Sequence, residues 1–148
     1  MVNKMSKFRS RNATIYAKLA GIGMSSDAHN IVQPLTEGAI LAMEAAIKDA
    51  NISTTDIAYV NAHGSGTMQN DLSESQAILA VFNPELCSPL VSSTKAAHGH
   101  LLGAGAALEA IAVILALKKQ AVPATFNVLN KDPLCAINLV TKNNTKAE

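Results

Sequence analysis

Tryptophan is absent from this 148-residue chain, and aromatic residues make up only 3% of it. Charge is also sparse at 16%, and it nearly cancels: 12 basic and 11 acidic residues leave a net charge of +1. Phosphate backbones require a basic surplus, so nucleic acid is excluded as the main partner. The two cysteines, Cys87 and Cys135, are too few for a disulfide framework and lack CxxC spacing. That usage points to a reducing compartment, and the expected location is the cytoplasm. Gly21-Ile-Gly23 has no third glycine, and no GKS or GKT follows a glycine-rich turn, so phosphate-cradle motifs are missing. Repeats, low-complexity tracts and internal linkers are missing too.

What remains is 49% hydrophobic, which excludes a disordered chain. The length suits one domain over residues 1–148, able to bury roughly 70% of its unfolded surface. Residues 1–12 are basic and read as an exposed lead-in, with an organelle transit peptide as the alternative; residues 141–148 read as a tail. The run Leu101–Leu117, LLGAGAALEAIAVILAL, sits at the lower limit of the ~17–25 residues that span a bilayer. Glu109 in its middle would cost on the order of 3 kcal/mol in lipid. The run therefore reads as a buried helix of an α/β fold, with no membrane span.

Strand-like and helix-like segments alternate. Ala13–Gly23, Ile57–Ala62, Leu90–Ser92 and Ile137–Val140 read as strands, and Glu37–Ala50 and Leu72–Phe82 as helices. The alternation predicts an α/β layered domain with a mixed sheet. In such sheets chemistry collects where strands hand over to helices, and both histidine-bearing loops occupy such positions.

The first loop is Asn61-Ala-His63-Gly-Ser65-Gly-Thr67. Its glycines permit close approach, Ser65 and Thr67 offer hydroxyls, and His63 can donate or accept. It is not a GxSxG nucleophile elbow, because His63 stands where the first glycine belongs. The second loop, Ser92-Ser-Thr-Lys95-Ala-Ala-His98-Gly-His100, precedes the apolar run. Neutral imidazoles beside free N–H groups suit the stabilisation of a developing oxyanion or enolate. Zinc held by His63, His98 and His100 is a competing reading, weakened by the adjacent Lys95 and the lack of a supporting carboxylate. Glu109 would be costly to bury unpaired, and Lys95 in the second loop is the cationic candidate.

The segments YVNAHGSGT, then Asp71 and Glu74, then VSSTKAAHGHLLGAGAALEA, then VPATFNV, resemble the C-terminal half of β-ketoacyl-[acyl-carrier-protein] synthases, condensing enzymes of the thiolase-like superfamily. The likeness runs from about Ile15 to Val140 with the motifs in the family's order. It implies half of an αβαβα layered sandwich, with Leu101–Leu117 as the buried helix and the closing strands missing. It implies that His63 and His100 bind the malonyl thioester carbonyl and promote decarboxylation. Lys95 matches the family's lysine, Glu109 its paired glutamate, and Ser65 and Thr67 the hydroxyls lining the phosphopantetheine tunnel.

The implied reaction is a Claisen condensation between a cysteine-bound acyl group and a malonyl carrier protein, in fatty acid or polyketide assembly, without metal or organic cofactor. The family's nucleophilic cysteine lies in its N-terminal half, outside this segment, so these residues alone are expected not to complete the condensation. Acyl carrier protein, a cysteine-bearing half or subunit, and an oligomeric assembly are the expected partners. A degenerate, non-catalytic segment binding within a synthase complex is the alternative. Ser65 stands where the family usually has Thr, His98 where Thr is common, and Gly105-Ala106 inverts the family's Ala-Gly order.

Overall fold

The computed structural model describes residues 11–30 and 33–141; the first ten residues of the lead-in and residues 142–148 of the tail lie outside the described residues. Two apolar runs form the sheet. β1 (Tyr59–Asn61) and β2 (Leu90–Ser92) pair in parallel, with Tyr59 opposite Leu90, Val60 opposite Val91 and Asn61 opposite Ser92. Successive side chains on a strand point to opposite faces. Val91 and Val60 accordingly join Ala62, Ile78 and Phe82 in one apolar cluster, while Tyr59 and Leu90 pack against Val122, Ala124 and Val140 on the other face.

Helices α1 (Thr36–Ala50) and α2 (Met68–Val81) pack on each other over the Val60 side, where Met43, Ile47 and Val81 join the first cluster. α1 has Glu37 in its first turn and Lys48 in its last, each matched to the helix dipole, and stops at Asn51 in the left-handed conformation. α2 begins one turn before the expected Leu72, because its first turn is polar and carries no apolar periodicity. A one-turn helix, α3 (Lys95–His98), and a 3-10 turn (Leu102–Ala104) precede α4 (Gly105–Lys119).

The structure corrects four expectations. The sheet among the described residues is parallel, not mixed. Residues 137–140 contribute a single parallel bridge, Leu139 to Val91, in place of a strand. Residues 13–23 form no strand. Strand propensity expresses fit to a pleated neighbour, and this segment lies along α1 instead: the Ile22 N–H donates to Asp49 Oδ2 at 2.9 Å. Here glycine is required, since a Cβ on Gly23 would fall 1.8 Å from the Ala42 carbonyl oxygen and one on Gly21 would fall 2.3 Å from that of Ala46. Gly23→Ala is therefore expected to force the segment off α1 and destabilise the protein by about 1–3 kcal/mol, read as a lower urea midpoint with an unchanged slope.

The fourth correction concerns Leu101–Leu117. Left-handed backbone at Leu102 (φ 48°) interrupts the run, so the α-helix starts at Gly105 and extends to Lys119. It is not buried within the described residues: Ile111 and Leu117 are 53% and 55% exposed, since only one side of α4 has anything there to pack against. No helix of the described residues is long and apolar enough to cross a membrane.

Candidate active site

Parallel pairing brings the C-terminal ends of β1 and β2 to the same edge, so both loops leave the sheet side by side. The Ala62 N–H donates to the Ser92 carbonyl at 2.9 Å, continuing the ladder into the first loop. Gly64 then turns with φ 45°, where a Cβ would lie 2.5 Å from that of Ser93. Ser93 Oγ donates to the Gly64 carbonyl at 3.2 Å and accepts from the Lys95 N–H at 3.4 Å, tying the two loops together. Behind it, the Ser93 N–H donates to Thr125 Oγ1 at 3.0 Å, so the VPATFNV segment anchors the second loop.

The first loop is also held from α2. Glu74 accepts the His63 N–H on Oε1 at 2.7 Å and the Gly64 N–H on Oε2 at 2.8 Å, and Asp71 Oδ1 accepts the Gly66 N–H at 3.2 Å. Both carboxylates belong to the motif that carried the family likeness, yet their role as loop anchors was not read from the sequence. The available signal was a pair of acids three residues apart at the start of a helix following a glycine-rich loop. A cavity of about 270 Å³ opens behind this loop, lined in part by Asp71, Glu74, Ser93 and Cys135.

The imidazoles of His63 and His100 meet edge to face, with ring centroids 5.5 Å apart and planes at 84°. Both residues are exposed. His100 Nδ1 accepts the Leu102 N–H at 3.0 Å, which places the hydrogen of the neutral ring on Nε2. Lys95, five residues before His100 and 8% exposed, forms an ion pair with Glu109 from α4, itself 18% exposed. Ser65 Oγ and Thr67 Oγ1 lie 3.0 Å apart and hydrogen-bond each other on the outer side of the first loop. His98 turns its ring to Gly99 and Thr94 instead of toward the histidine pair. Among the described residues, no group of three or more His, Cys, Asp or Glu is arranged to hold a metal ion.

Tyr59, Asn61 and Ser92 share the opposite sheet face from Val91. Tyr59 Oη and Ser92 Oγ are 2.9 Å apart, and Asn61 Nδ2 donates to Tyr59 Oη at 2.9 Å. Burial pushes the Tyr59 phenol above its ordinary 10.0; the bonds to Ser92 and Asn61 oppose that rise, and the Glu109 charge adds to it. The folded state thus holds this proton more tightly than the unfolded chain. Its contribution to stability is full below pH 10 and is lost as pH rises through the elevated folded value. Urea midpoints measured across that alkaline range should fall more steeply in the native chain than in Tyr59→Phe.

The family model described as "Beta-ketoacyl synthase, C-terminal domain" matches residues 16–129. The chain is 47% identical over 129 residues to nodulation protein E of Rhizobium sp. (strain N33), covering 87% of this chain and 32% of that protein. It is 44% identical over 135 residues to 3-oxoacyl-[acyl-carrier-protein] synthase 2 of Vibrio harveyi, covering 89% and 32%. A solved structure of a type II PKS acyl-carrier protein in complex with its ketosynthase superimposes with a TM-score of 0.89 at 33% identity, covering 95% of this chain and 35% of that one. The chain thus spans about a third of the length of the curated relatives it matches.

Proposed function

Since the chain belongs to the β-ketoacyl synthase family and carries its C-terminal domain, we propose that it supplies the histidine–lysine portion of a β-ketoacyl-[acyl-carrier-protein] synthase active site. The observation that carries this reading is the edge-to-face His63–His100 pair, with the Lys95–Glu109 ion pair formed in the segment that leads to and follows His100. The substrate is a malonyl thioester on acyl carrier protein. Two imidazoles in contact suit the binding of a thioester oxygen between them, and His100 presents a hydrogen on Nε2 for that purpose.

Breaking the C–C bond to the malonyl carboxylate releases carbon dioxide and leaves its electron pair as the thioester enolate, whose oxygen the imidazoles stabilise. The enolate carbon then attacks an acyl thioester on a cysteine lying outside these residues, in further chain or in a partner. Collapse of the tetrahedral adduct returns the cysteine thiolate and yields the β-ketoacyl carrier protein. The thioester carbonyl is the electron sink, so the scheme requires no metal or organic cofactor.

Lys95, fixed by Glu109, places a positive charge next to the loop that carries His100. The Ser65 and Thr67 hydroxyls are suited to the polar arm of phosphopantetheine. Acyl carrier protein is the proposed partner, supported by the carrier protein bound to the related ketosynthase. The exposed apolar face of α4 supports assembly with further polypeptide. Free Cys87 and Cys135 fit a reducing compartment such as the cytoplasm.

The test is malonyl-carrier-protein decarboxylation by the chain assembled with a cysteine-bearing half. His63→Ala and His100→Ala should each lower the rate by about 10²–10³, the usual cost of one oxyanion donor. Unchanged rates in both variants would reject the catalytic reading and leave the binding-segment alternative.

A further inference from the structure

His98 has no part in the proposed chemistry, yet both of its ring nitrogens are engaged across the segment that carries Lys95 and His100. Nδ1 lies 2.8 Å from the Gly99 carbonyl oxygen and Nε2 lies 3.0 Å from Thr94 Oγ1. A carbonyl oxygen only accepts, so Nδ1 carries the hydrogen, and in the neutral ring Nε2 accepts from the Thr94 hydroxyl. Thr94 is buried at the base of β2's exit and immediately precedes Lys95; Gly99 immediately precedes His100. The ring therefore bridges the two ends of the α3 turn.

Gly99 is the place where such a bridge matters. Its backbone, at φ 78° and ψ 175°, occupies a region open essentially to glycine alone, and nothing lies within 4 Å of where a Cβ would stand. Its own sterics therefore leave the Gly99–His100 peptide plane free to rotate. The Gly99 N–H, donating to the Lys95 carbonyl at 2.7 Å, holds only the preceding His98–Gly99 peptide; the Gly99–His100 plane is held through the Gly99 carbonyl, which accepts from His98 Nδ1. A solvent-facing histidine on a one-turn helix would leave a nitrogen to water, whereas this half-buried ring spends both on protein atoms.

We infer that His98 is a positioning residue. By bridging Thr94 Oγ1 and the Gly99 carbonyl it fixes the peptide from which His100 projects, and so the direction in which His100 Nε2–H donates. The kinetic consequence rests on the function proposed above; the structural claim concerns only His98, Gly99 and His100.

The test uses the full chain labelled with ¹⁵N-histidine, as the native sequence and as His98→Asn, His98→Gln and His98→Ala. An Asn amide nitrogen falls near the place of Nδ1 and can still donate to the Gly99 carbonyl. A Gln amide falls near Nε2 and keeps only the Thr94 side. Native and Asn chains should show His100 as the single Nε2–H form in its ring ¹⁵N shifts, while Ala and Gln should show averaging between the two neutral forms.

In the assembled synthase, decarboxylation kcat should fall about tenfold in Ala and Gln, a modest misplacement penalty, with KM unchanged and Asn restoring it. If His100 keeps native shifts in His98→Ala with unchanged far-ultraviolet circular dichroism, or if Asn and Gln rescue equally, the inference is wrong. Should the Ala chain fail to fold, the Asn–Gln contrast decides alone. Lost selection of the Nε2–H form with undiminished turnover would support the positioning and overturn instead the catalytic reading of His100.

Discussion

Glu109→Ala should destabilise the protein by about 3 kcal/mol, the low end of the ~3–5 kcal/mol lost when one partner of a buried ion pair is removed. Lys95 is 8% exposed, and without Glu109 its ammonium would remain in the interior with no counter-charge. Removing the charge in water costs little; leaving it alone in the protein does not. The low end applies because Glu109 keeps 18% of its surface exposed, so some solvent screens the pair already. A domain of this size has a total stability of about 5–15 kcal/mol, so the change should show as a large drop in urea midpoint. The double substitution Lys95→Met with Glu109→Leu should recover most of that loss, because replacing both charges with apolar groups of similar volume is close to neutral. If the double variant is as unstable as Glu109→Ala, burial of an unpaired ammonium is not the cause. Activity in the assembled enzyme should remain low in both, which separates the structural role of the pair from the role proposed for it at the site.

That pair was legible because its logic is one of cost. A carboxylate inside LLGAGAALEAIAVILAL requires a cation, and Lys95 stands in the loop that leads into that run. β2 was legible for a related reason: Leu90–Ser92 is a short apolar run between Pro89 and a polar turn, and it is a strand over those same residues. Residues 13–23 failed because their β-branched and aromatic content says what they would do beside a strand, not whether one is present. Gly21 and Gly23, two residues apart, did carry a signal, that of backbone meeting backbone, and the contact they make is with a helix. The apolar circumference of α4 reads as burial, but composition does not say what covers a helix, and within the described residues Ile111, Leu115 and Leu117 remain exposed. Spacing to His100 alone makes His98 a candidate metal ligand; its ring direction, set by Thr94 and Gly99, is not encoded in spacing.

Glu74 marks the other limit of sequence reading, and it carries the second large expected effect. Its two carboxylate oxygens accept backbone N–H groups of His63 and Gly64, eleven and ten residues away. Contacts to backbone amides leave no trace in the identity of the residues contacted, so an acid in the second turn of α2 reads merely as a partner for the helix dipole. Each hydrogen bond to a charged acceptor contributes about 1.5–3 kcal/mol, and no other group is placed to accept these two donors among the described residues. Glu74→Gln is the sharper variant because it keeps size and shape. One oxygen can still accept, but the amide NH₂ must face the second backbone N–H, and two donors repel. The loop should then pivot about the remaining bond and carry the His63 imidazole away from His100. Displacements near 1 Å can cost about 10²-fold in rate. We expect a fall of that order in decarboxylation kcat in the assembled synthase, with stability lowered by about 2 kcal/mol. Asp71→Asn, at a carboxylate that accepts one loop backbone N–H at 3.2 Å, should do markedly less. Equal effects of the two substitutions would mean that charge near the loop, and not the clamp on His63 and Gly64, holds the site together.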